Sequence, residues 1–307
     1  NYTSMEYSEH GVAVLEALVG DGYIRKFDDV GAATDYLGDQ LPIVSNLALI
    51  SALNDVTWKH RLILDCRVSG PNSATTKQAR IVLPRIWDVV RDTLILRDKA
   101  LGSKDTVVKY MVCDFADAFY KVPLTKAEQK YFAVSYKCKI YVWLRLGQGS
   151  LNGPTLLGRL SALVWRITQS ILDPNEARLH IYIDDPIITM VATEERTKRI
   201  SCLCILLWLI LGFGLAFHKG QLGYQVKWVG YDIGNTLEHV VVRIKAEFMA
   251  DLASKTGELI ARNMIKTSEL RTFTGRANHV ANLLFAWRPF LDALWAASSK
   301  TGGTLSF

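Results

Sequence analysis

The chain has 307 residues, 50% of them hydrophobic and eight of them Trp, which excludes a disordered polypeptide and leaves room for two or three subdomains. Its 36 Lys and Arg against 30 Asp and Glu give a net charge of +6, a basic excess that suits a polyanionic partner without demanding one. Five cysteines (Cys66, Cys113, Cys138, Cys202 and Cys204) form no CxxC pair and the His residues are scattered, so neither a disulfide framework nor a zinc site is expected. The thiols read as those of an intracellular protein. No signal-peptide pattern is present, and the opening "NYTSMEYSEH" without an initiator Met reads as a piece of a longer polyprotein.

In chain order, "GVAVLEALVGDGYIRKF" and "VGAATDYLG" predict helices, and "LPIVSNLALISAL" is an apolar run. A basic strand, "WKHRLILDCRV", and the turn-rich "SGPNSATT" follow. Pro84 starts a predicted helix, "PRIWDVVRDTLILRDKALG", since Pro is tolerated in a first turn. "VVKYMVCDF" is a buried strand, and "YFAVSY" and "KIYVWL" form a hairpin around Lys137, Cys138 and Lys139. "NGPTLLGRLSALVWRITQSIL" is a long amphipathic helix, and "HIYIDDPIITM" is a second hairpin. The uncharged stretch 200–217, "ISCLCILLWLILGFGLAF", has the length of a membrane span, but its flanking charges and its two glycines favour a core helix running into a strand. "YQVKWVGYDI" and "EHVVVRI" read as strands. From about Lys245 the pattern is helical: "KAEFMADLASKTGELIARN", "TSELRTFTGRANHVANLLFA" and "RPFLDALWAASS", with Thr267 or Ser268 before Glu269 as a helix start. "KTGGTLSF" closes the chain as a flexible tail. Strands mixed with helices and then a helical segment predict an α+β body with an appended helical module.

The residues that most need explaining are Asp184 and Asp185, side by side between two β-branched runs. Adjacent carboxylates repel and resist burial, so one reading is a turn, with Pro186 closing it. The other is a functional cluster. Asp114 ends the buried strand "YMVCD"; if that strand neighbours the one ending at Asp184, both carboxylates reach one point. Such oxygen donors suit hard divalent cations, and two such ions activate an attacking oxygen and stabilise a leaving one in phosphoryl transfer.

"CDFADAFYKVPL", "LGQGSLNGPT", "YIDD" and "KWVGYDI", in that order, resemble the motif series of reverse transcriptases, most of all those of retroviruses and LTR retrotransposons. "RLILDCR" and "IVLPRIWD" match the fingers motifs of that family, and "LRTFTGRANHVANLLFAWRPF" resembles the helical thumb. The resemblance runs from about Val12 to Ala297. It implies a right-hand polymerase fold: fingers over 1–85 and 122–154, palm over 86–121 and 155–243, thumb over 244–300 and a tail over 301–307. The palm is an antiparallel sheet backed by helices, and the apolar stretch is its core helix, with no membrane span.

The resemblance also implies roles. Asp114 and Asp184 match the catalytic metal ligands, and Asp185 the third acid, not a constant ligand. Two Mg²⁺ ions are expected, with Mn²⁺ as a substitute and the Phe115 backbone carbonyl as a further ligand. The amides of Phe115 and Ala116 match positions that hold the incoming triphosphate, with Asp117 beside them. Phe119 matches the steric gate that excludes a 2′-hydroxyl, although its residue type also suits a core aromatic. Arg61 matches the fingers Arg on the base and α-phosphate; Lys59 is a second cation there or a solvated one. Gln148 and Gly149 match the loop that supports sugar and template, with Gly147 where Pro is usual. Lys219 matches a lysine near the triphosphate, a candidate general acid or else a surface lysine. Trp228, Val229, Gly230 and Tyr231 match the primer-grip hairpin, and Lys255, Arg262, Lys266, Arg271 and Arg276 lie on thumb helices where cations can track duplex phosphates.

The implied activity is RNA-directed DNA synthesis, extending a DNA primer with dNTPs on RNA and DNA templates in the cytoplasm or in a retroelement or viral particle. A dimer is compatible with this reading but not required by it. No separate RNase H is expected within this chain, since only about ten residues follow the thumb. An RNA-dependent RNA polymerase shares the palm but usually has Gly before its Asp pair and a smaller sugar-recognition residue, unlike Ile183 and Phe119. A silent subunit of the same fold would not need Asp114, Asp184 and Asp185 intact.

Overall fold

The computed structural model describes residues 1–54, 57–76, 80–100, 106–236, 239–262, 264–299 and 304–306. In chain order its helices and strands begin with α1 (Thr3–Glu6), α2 (Glu9–Gly20), β1 (Ile24–Phe27), α3 (Val30–Tyr36), β2 (Val44–Asn54) and β3 (Thr57–Asp65). There follow α4 (Pro71–Ala74), α5 (Ile86–Lys99), β4 (Val107–Val112), α6 (Lys126–Gln129), β5 (Ala133–Tyr136) and β6 (Lys139–Trp143). The middle of the chain forms α7 (Gly153–Ser170), β7 (Ala177–Tyr182), β8 (Asp185–Ala192), α8 (Glu194–Ile210) and β9 (Gln221–Gly223). The remainder is β10 (Gln225–Trp228), β11 (Tyr231–Asn235), β12 (Val240–Ile244), α9 (Ala246–Arg262), β13 (Met264–Lys266), α10 (Thr267–Leu283), α11 (Arg288–Ser298) and β14 (Thr304–Ser306).

These elements divide into two compact units. The first holds Asn1–Val82, Phe115–Arg166 and Leu207–Leu215, and the second holds Leu83–Asp114, Ile167–Leu206 and Ala216–Phe307. Most of the expected fingers lies in the first unit and the expected thumb in the second.

The first unit is built on a five-stranded sheet in the order β1-β6-β5-β2-β3. The apolar run around Leu47 forms β2, which pairs with β3 from Asn46↔Asp65 to Asn54↔Thr57 and with β5 through Val44 and Ser45. The hairpin expected around Cys138 forms with Tyr136 opposite Lys139, so Lys137 and Cys138 make a two-residue turn with φ of 47° and 60°. Both residues are left-handed, as a hairpin turn matching the strand twist requires. Ser8 opens α2 by accepting a hydrogen bond from the Gly11 amide at 3.2 Å, and Asp29 opens α3 by accepting from Ala32 at 2.8 Å. The core joins Leu15 and Leu18 of α2 to Leu47, Leu64, Val134, Tyr141 and Trp143 of the sheet.

The second unit holds a four-stranded antiparallel sheet in the order β7-β8-β4-β9 and a three-stranded one, β10-β11-β12. The helix expected from Pro84 begins at Ile86 instead, where the Arg85 amide donates to the Asp88 carboxylate at 2.8 Å. "YQVKWVGYDI" is not one strand. It folds back at Val229 and Gly230, with φ of 47° and 81°, so that Trp228 pairs with Tyr231. Val89 and Ile86 of α5 pack with Tyr110, Ile187, Trp228 and Tyr231 into a core shared by both sheets. The closing residues 304–306, expected in a flexible tail, pair as a strand with 264–266. The apolar stretch forms most of α8, which buries Ile200, Cys204 and Trp208; among the described residues no helix is long and apolar enough to cross a membrane.

One polar cluster ties α5 to β7. Asp92 is only 4% exposed, yet its Oδ1 accepts from Arg178 Nη1 at 2.9 Å and Arg91 Nε at 3.3 Å, while Oδ2 faces His180 Nε2 at 2.9 Å. Burial alone would raise the Asp92 carboxyl, but the hydrogen bonds and charges of His180 and Arg178 outweigh it and hold the pKa near about 2. A depressed carboxylate stabilises the fold above its unfolded pKa and loses that effect as the pH falls through the folded value. The advantage of wild type over Asp92→Asn is therefore expected to shrink by about 2 kcal/mol between about pH 5 and pH 2. Urea unfolding of both proteins across that range checks it; a difference independent of pH would contradict the assignment.

Candidate active site

The strand register of the second unit answers why two carboxylates sit together. Val112 of β4 pairs with Ile187 of β8, and the Cys113 amide donates to the Pro186 carbonyl at 3.1 Å, so Asp114 falls opposite Asp185. On the other side of β4, Val112 pairs with Gln221, which brings Lys219 level with Asp114. The β7–β8 hairpin turns through Ile183 and Asp184, with Tyr182 opposite Asp185 and Ile183 at φ 57°. Asp184 therefore lies in a turn, and the same register brings the end of β4 at Asp114 alongside it. A left-handed β-branched residue is strained, and such strain persists only where its surroundings hold it.

The charges interact strongly. Burial, then Asp184 and then Asp114 push the Asp185 carboxyl up to about 7, against the opposing pull of Lys219. Lys219 Nζ lies 2.5 Å from Asp114 Oδ2, an ion pair with both side chains part-buried. Trp228 donates its indole N–H to the Asp185 backbone carbonyl at 2.9 Å and meets the Tyr182 ring edge-on at 6.3 Å. The expected primer-grip hairpin thus braces the Ile183–Asp184 turn.

Among the described residues, no three His, Cys, Asp or Glu side chains converge into a finished metal cage. The donor chemistry nonetheless suits a hard cation that takes one or two carboxylates and completes its shell with water and substrate phosphates, as Mg²⁺ does. Asp114 and Asp184 would hold it, with Asp185 close enough to be charged or neutral according to its neighbours.

The remaining nucleotide-side candidates belong to the first unit. The Ala116 amide, expected to face a triphosphate, donates to the Gly214 carbonyl at 2.9 Å, and Phe115 forms a bridge with Leu215. That amide reaches a phosphate only by giving up this bond. The Phe115 ring is buried against Trp208 and Phe213. Asp117 is exposed and left-handed at φ 54°. Phe119 is half-buried against the core, and a side chain at Gly153 would begin 3.3 Å from its ring. Lys59 and Arg61 project from one side of β3, both exposed.

The loop after β6 is locked to β3. The Leu64 amide donates to the Gln148 carbonyl at 2.8 Å, and a Cβ at Gly149 would lie 1.9 Å from the Leu64 oxygen. Gly149 also holds φ 119°, which L side chains rarely adopt. Asn72, which the sequence reading passed over as part of a turn, clamps this loop: its Nδ2 donates to the Gly149 carbonyl at 3.0 Å and its Oδ1 accepts from the Leu151 amide at 2.8 Å. The only signal was an Asn after Gly-Pro, which marks any turn. Gly147 lies against Trp143, where a Cβ would meet the indole at 2.8 Å, which accounts for Gly at a position where Pro is usual.

Four of the five expected duplex-facing cations make contacts within the second unit. Lys255 pairs with Glu258 and Glu269 at 3.1 and 2.9 Å, and Arg262 reaches Glu269 at 3.4 Å. Arg271 donates to the Ser298 carbonyl at 2.8 Å, while Arg276 pairs with Asp251 and lies over the Phe248 ring. Lys266 is exposed on β13. Exposed ion pairs of this kind are weak and can yield to phosphates.

An antiparallel sheet backed by helices, with acidic side chains gathered at the ends of its inner strands, defines a palm-type polymerase domain. The model of the family "Reverse transcriptase (RNA-dependent DNA polymerase)" matches residues 55–233, and the chain belongs to that family. A curated relative, the Gag-Pol polyprotein of Walleye dermal sarcoma virus, is 26% identical over 142 residues, covering 46% of this chain and 8% of the polyprotein. The domain is thus of the retroviral type. Among solved structures, foamy viral protease-reverse transcriptase in complex with dsDNA has a TM-score of 0.58 at 18% identity, over 99% of this chain and 59% of that one. The same enzyme with an RNA/DNA hybrid has a TM-score of 0.56 at 19% identity, over 100% of this chain and 35% of that one. At such identities the likeness establishes the α+β polymerase fold. The chain spans less than two thirds of the length of each of these relatives.

The Gly149 lock gives a direct expectation. Gly149→Ala must displace the Leu64 carbonyl and strain its own backbone, costing about 1–3 kcal/mol and exposing the loop to proteolysis. Limited proteolysis with mass mapping and an unfolding curve test this; wild-type resistance and stability would contradict it.

Proposed function

We propose that the chain is an RNA-directed DNA polymerase that extends a primer 3′-hydroxyl with dNTPs on RNA and DNA templates. The observation that carries this reading is the β4–β8 register, which puts Asp114 opposite Asp185 and beside the Asp184 turn. Family membership, and relatives solved with dsDNA and with an RNA/DNA hybrid, support the choice of substrate.

In this reading Asp114 and Asp184 hold divalent cations, Mg²⁺ or Mn²⁺ in their place, which lower the charge barrier for the attacking and leaving oxygens. The primer 3′-hydroxyl releases its proton to solvent as its oxygen bonds to the α-phosphorus and the α–β bridging bond breaks, and pyrophosphate departs. Lys219 Nζ is within reach of Asp114, so the ammonium can swing from that carboxylate to the triphosphate and protonate the leaving pyrophosphate. Asp185, whose carboxyl is raised to about 7 by burial and by its two neighbours, would serve as the third acid rather than a constant ligand. Phe119 would close the space under the sugar, the Phe115 carbonyl would complete a metal shell, and the Phe115 and Ala116 amides would meet the triphosphate beside Asp117. Lys59 and Arg61 on β3 would approach the phosphates and base, with Gln148 and Gly149 supporting the sugar. Residues 228–231 would grip the primer end. Lys255, Arg262, Lys266, Arg271 and Arg276 would track the duplex backbone once their acidic partners yield.

Primer extension on RNA and DNA templates tests the reading. Asp184→Asn should lower dNTP incorporation by more than about 100-fold, beyond the loss of an outer-sphere partner, while leaving primer–template binding close to wild type. A wild-type protein that binds primer–template but adds no nucleotide would favour a silent subunit. One that prefers rNTPs would favour an RNA polymerase.

Phe119→Val should cut the dNTP-over-rNTP ratio of kcat/KM by about tenfold or more, because it removes the ring that excludes the 2′-hydroxyl. Steady-state kinetics with both nucleotide sets checks this, and unchanged sugar discrimination would remove Phe119 from the gate.

A further inference from the structure

We propose that Asp92 and His180 are positioning residues for Asp184, holding the strand that carries it in one lateral position. The proposal rests on the reading of Asp184 as a metal ligand. Arg178, His180 and Tyr182 occupy alternate positions of β7 and share one half-buried side, while Ala177, Leu179 and Ile181 are buried on the other. Each of the three is tethered. Arg178 and His180 converge on the Asp92 carboxylate at 2.9 Å apiece, and Tyr182 meets the Trp228 ring. Trp228 in turn donates to the Asp185 carbonyl on the far side of the turn. The Ile183–Asp184 turn, with Ile183 left-handed, is therefore held at both ends, from α5 on the entering strand and from the β10–β11 hairpin on the leaving one.

The chemistry of the cluster argues for position over stability. A buried ion pair is commonly no more stabilising than well-packed apolar residues of the same volume. What it adds is direction: apolar contacts allow a strand to slide by a fraction of an ångström, whereas two donors on one carboxylate fix it. Asp92 is itself well anchored, since α5 packs into the shared core through Ile86 and Val89. The groups facing His180 are Asp92 from α5 and, beside it on the same carboxylate, Arg178 and Arg91. Displacement of a catalytic group by about 1 Å costs roughly 100-fold in rate, and loss of an outer-sphere partner about 10–100-fold in metal affinity.

The test compares three variants in the full chain: His180→Leu, which removes the donor; His180→Asn, whose shorter amide does not reach Asp92; and His180→Gln, which restores a donor at nearly the same reach. Each is first shown to be folded by near-ultraviolet circular dichroism. Mn²⁺ binding is then measured by electron paramagnetic resonance, with Asp184→Asn as the reference for loss of the ligand. His180→Leu and His180→Asn are expected to weaken Mn²⁺ binding by about tenfold or more and to lower kcat with little change in primer–template KM, and His180→Gln to recover both. Folded Leu and Asn variants with wild-type Mn²⁺ affinity would overturn the proposal. So would Mn²⁺ binding that Asp184→Asn leaves unchanged, since there would be no metal site to position. A wild type that binds Mn²⁺ at Asp184 but incorporates no dNTP would sink the polymerase reading alone, and the Mn²⁺ titrations would still decide the role of His180.

Discussion

Mutual repulsion among Asp114, Asp184 and Asp185 is the constraint around which the second unit is organised. Three carboxylates within electrostatic reach of one another are unfavourable in any fold, and here burial first, and then Asp184 and Asp114, raise the Asp185 carboxyl to about 7. Lys219, from the opposite side of β4, offsets part of the repulsion, and the divalent cations of the proposed mechanism would offset more. The central position of β4, with β8 on one side and β9 on the other, lets one strand end meet both an acid and a base.

The same constraint explains why polar groups recur behind the site. A turn with a left-handed Ile and neighbouring like charges would relax if only apolar contacts held it. Trp228 fixes one side through a backbone carbonyl, and the Asp92 cluster fixes the other through side chains. Both belong to segments that also pack against the thumb-like helices: Tyr231 donates to the His279 carbonyl at 2.8 Å and stacks on its ring, and Trp87 of α5 donates to the Leu283 carbonyl at 3.2 Å.

Much of this was legible in the sequence because it depends on local pattern. The period-2 runs around Met111 and Ile181, the Asp pair at a turn and the long helix after Gly153 are short-range signals, and the ordered motifs tied them to one family. The register was not legible. Nothing local says that Val112 faces Ile187 on one side and Gln221 on the other, yet this pairing decides which charges meet. Lys219 illustrates the point, since it read equally well as a surface lysine until β9 placed it against Asp114. The break at Val229 came only from the resemblance to the primer-grip hairpin and not from local pattern, because a β-branched residue at positive φ runs against its own propensity. The Asp92, Asn72 and His279 contacts each join residues far apart in sequence, for which a single sequence offers no cue.

The join between Gly149 and Leu64 has a consequence for how such a domain can diversify. With the Leu64 oxygen occupying the space of a Cβ, the loop and β3 form a single keyed joint, further pinned by Asn72. Lys59 and Arg61 extend from the same strand as that joint. The chain can therefore vary the chemistry of its exposed cations one residue at a time, but it cannot lengthen or re-aim the loop without also re-registering the strand. Drift at Gly149 is closed, whereas at Gly147 the neighbour is a side chain, Trp143, and a smaller partner there would open the position to substitution.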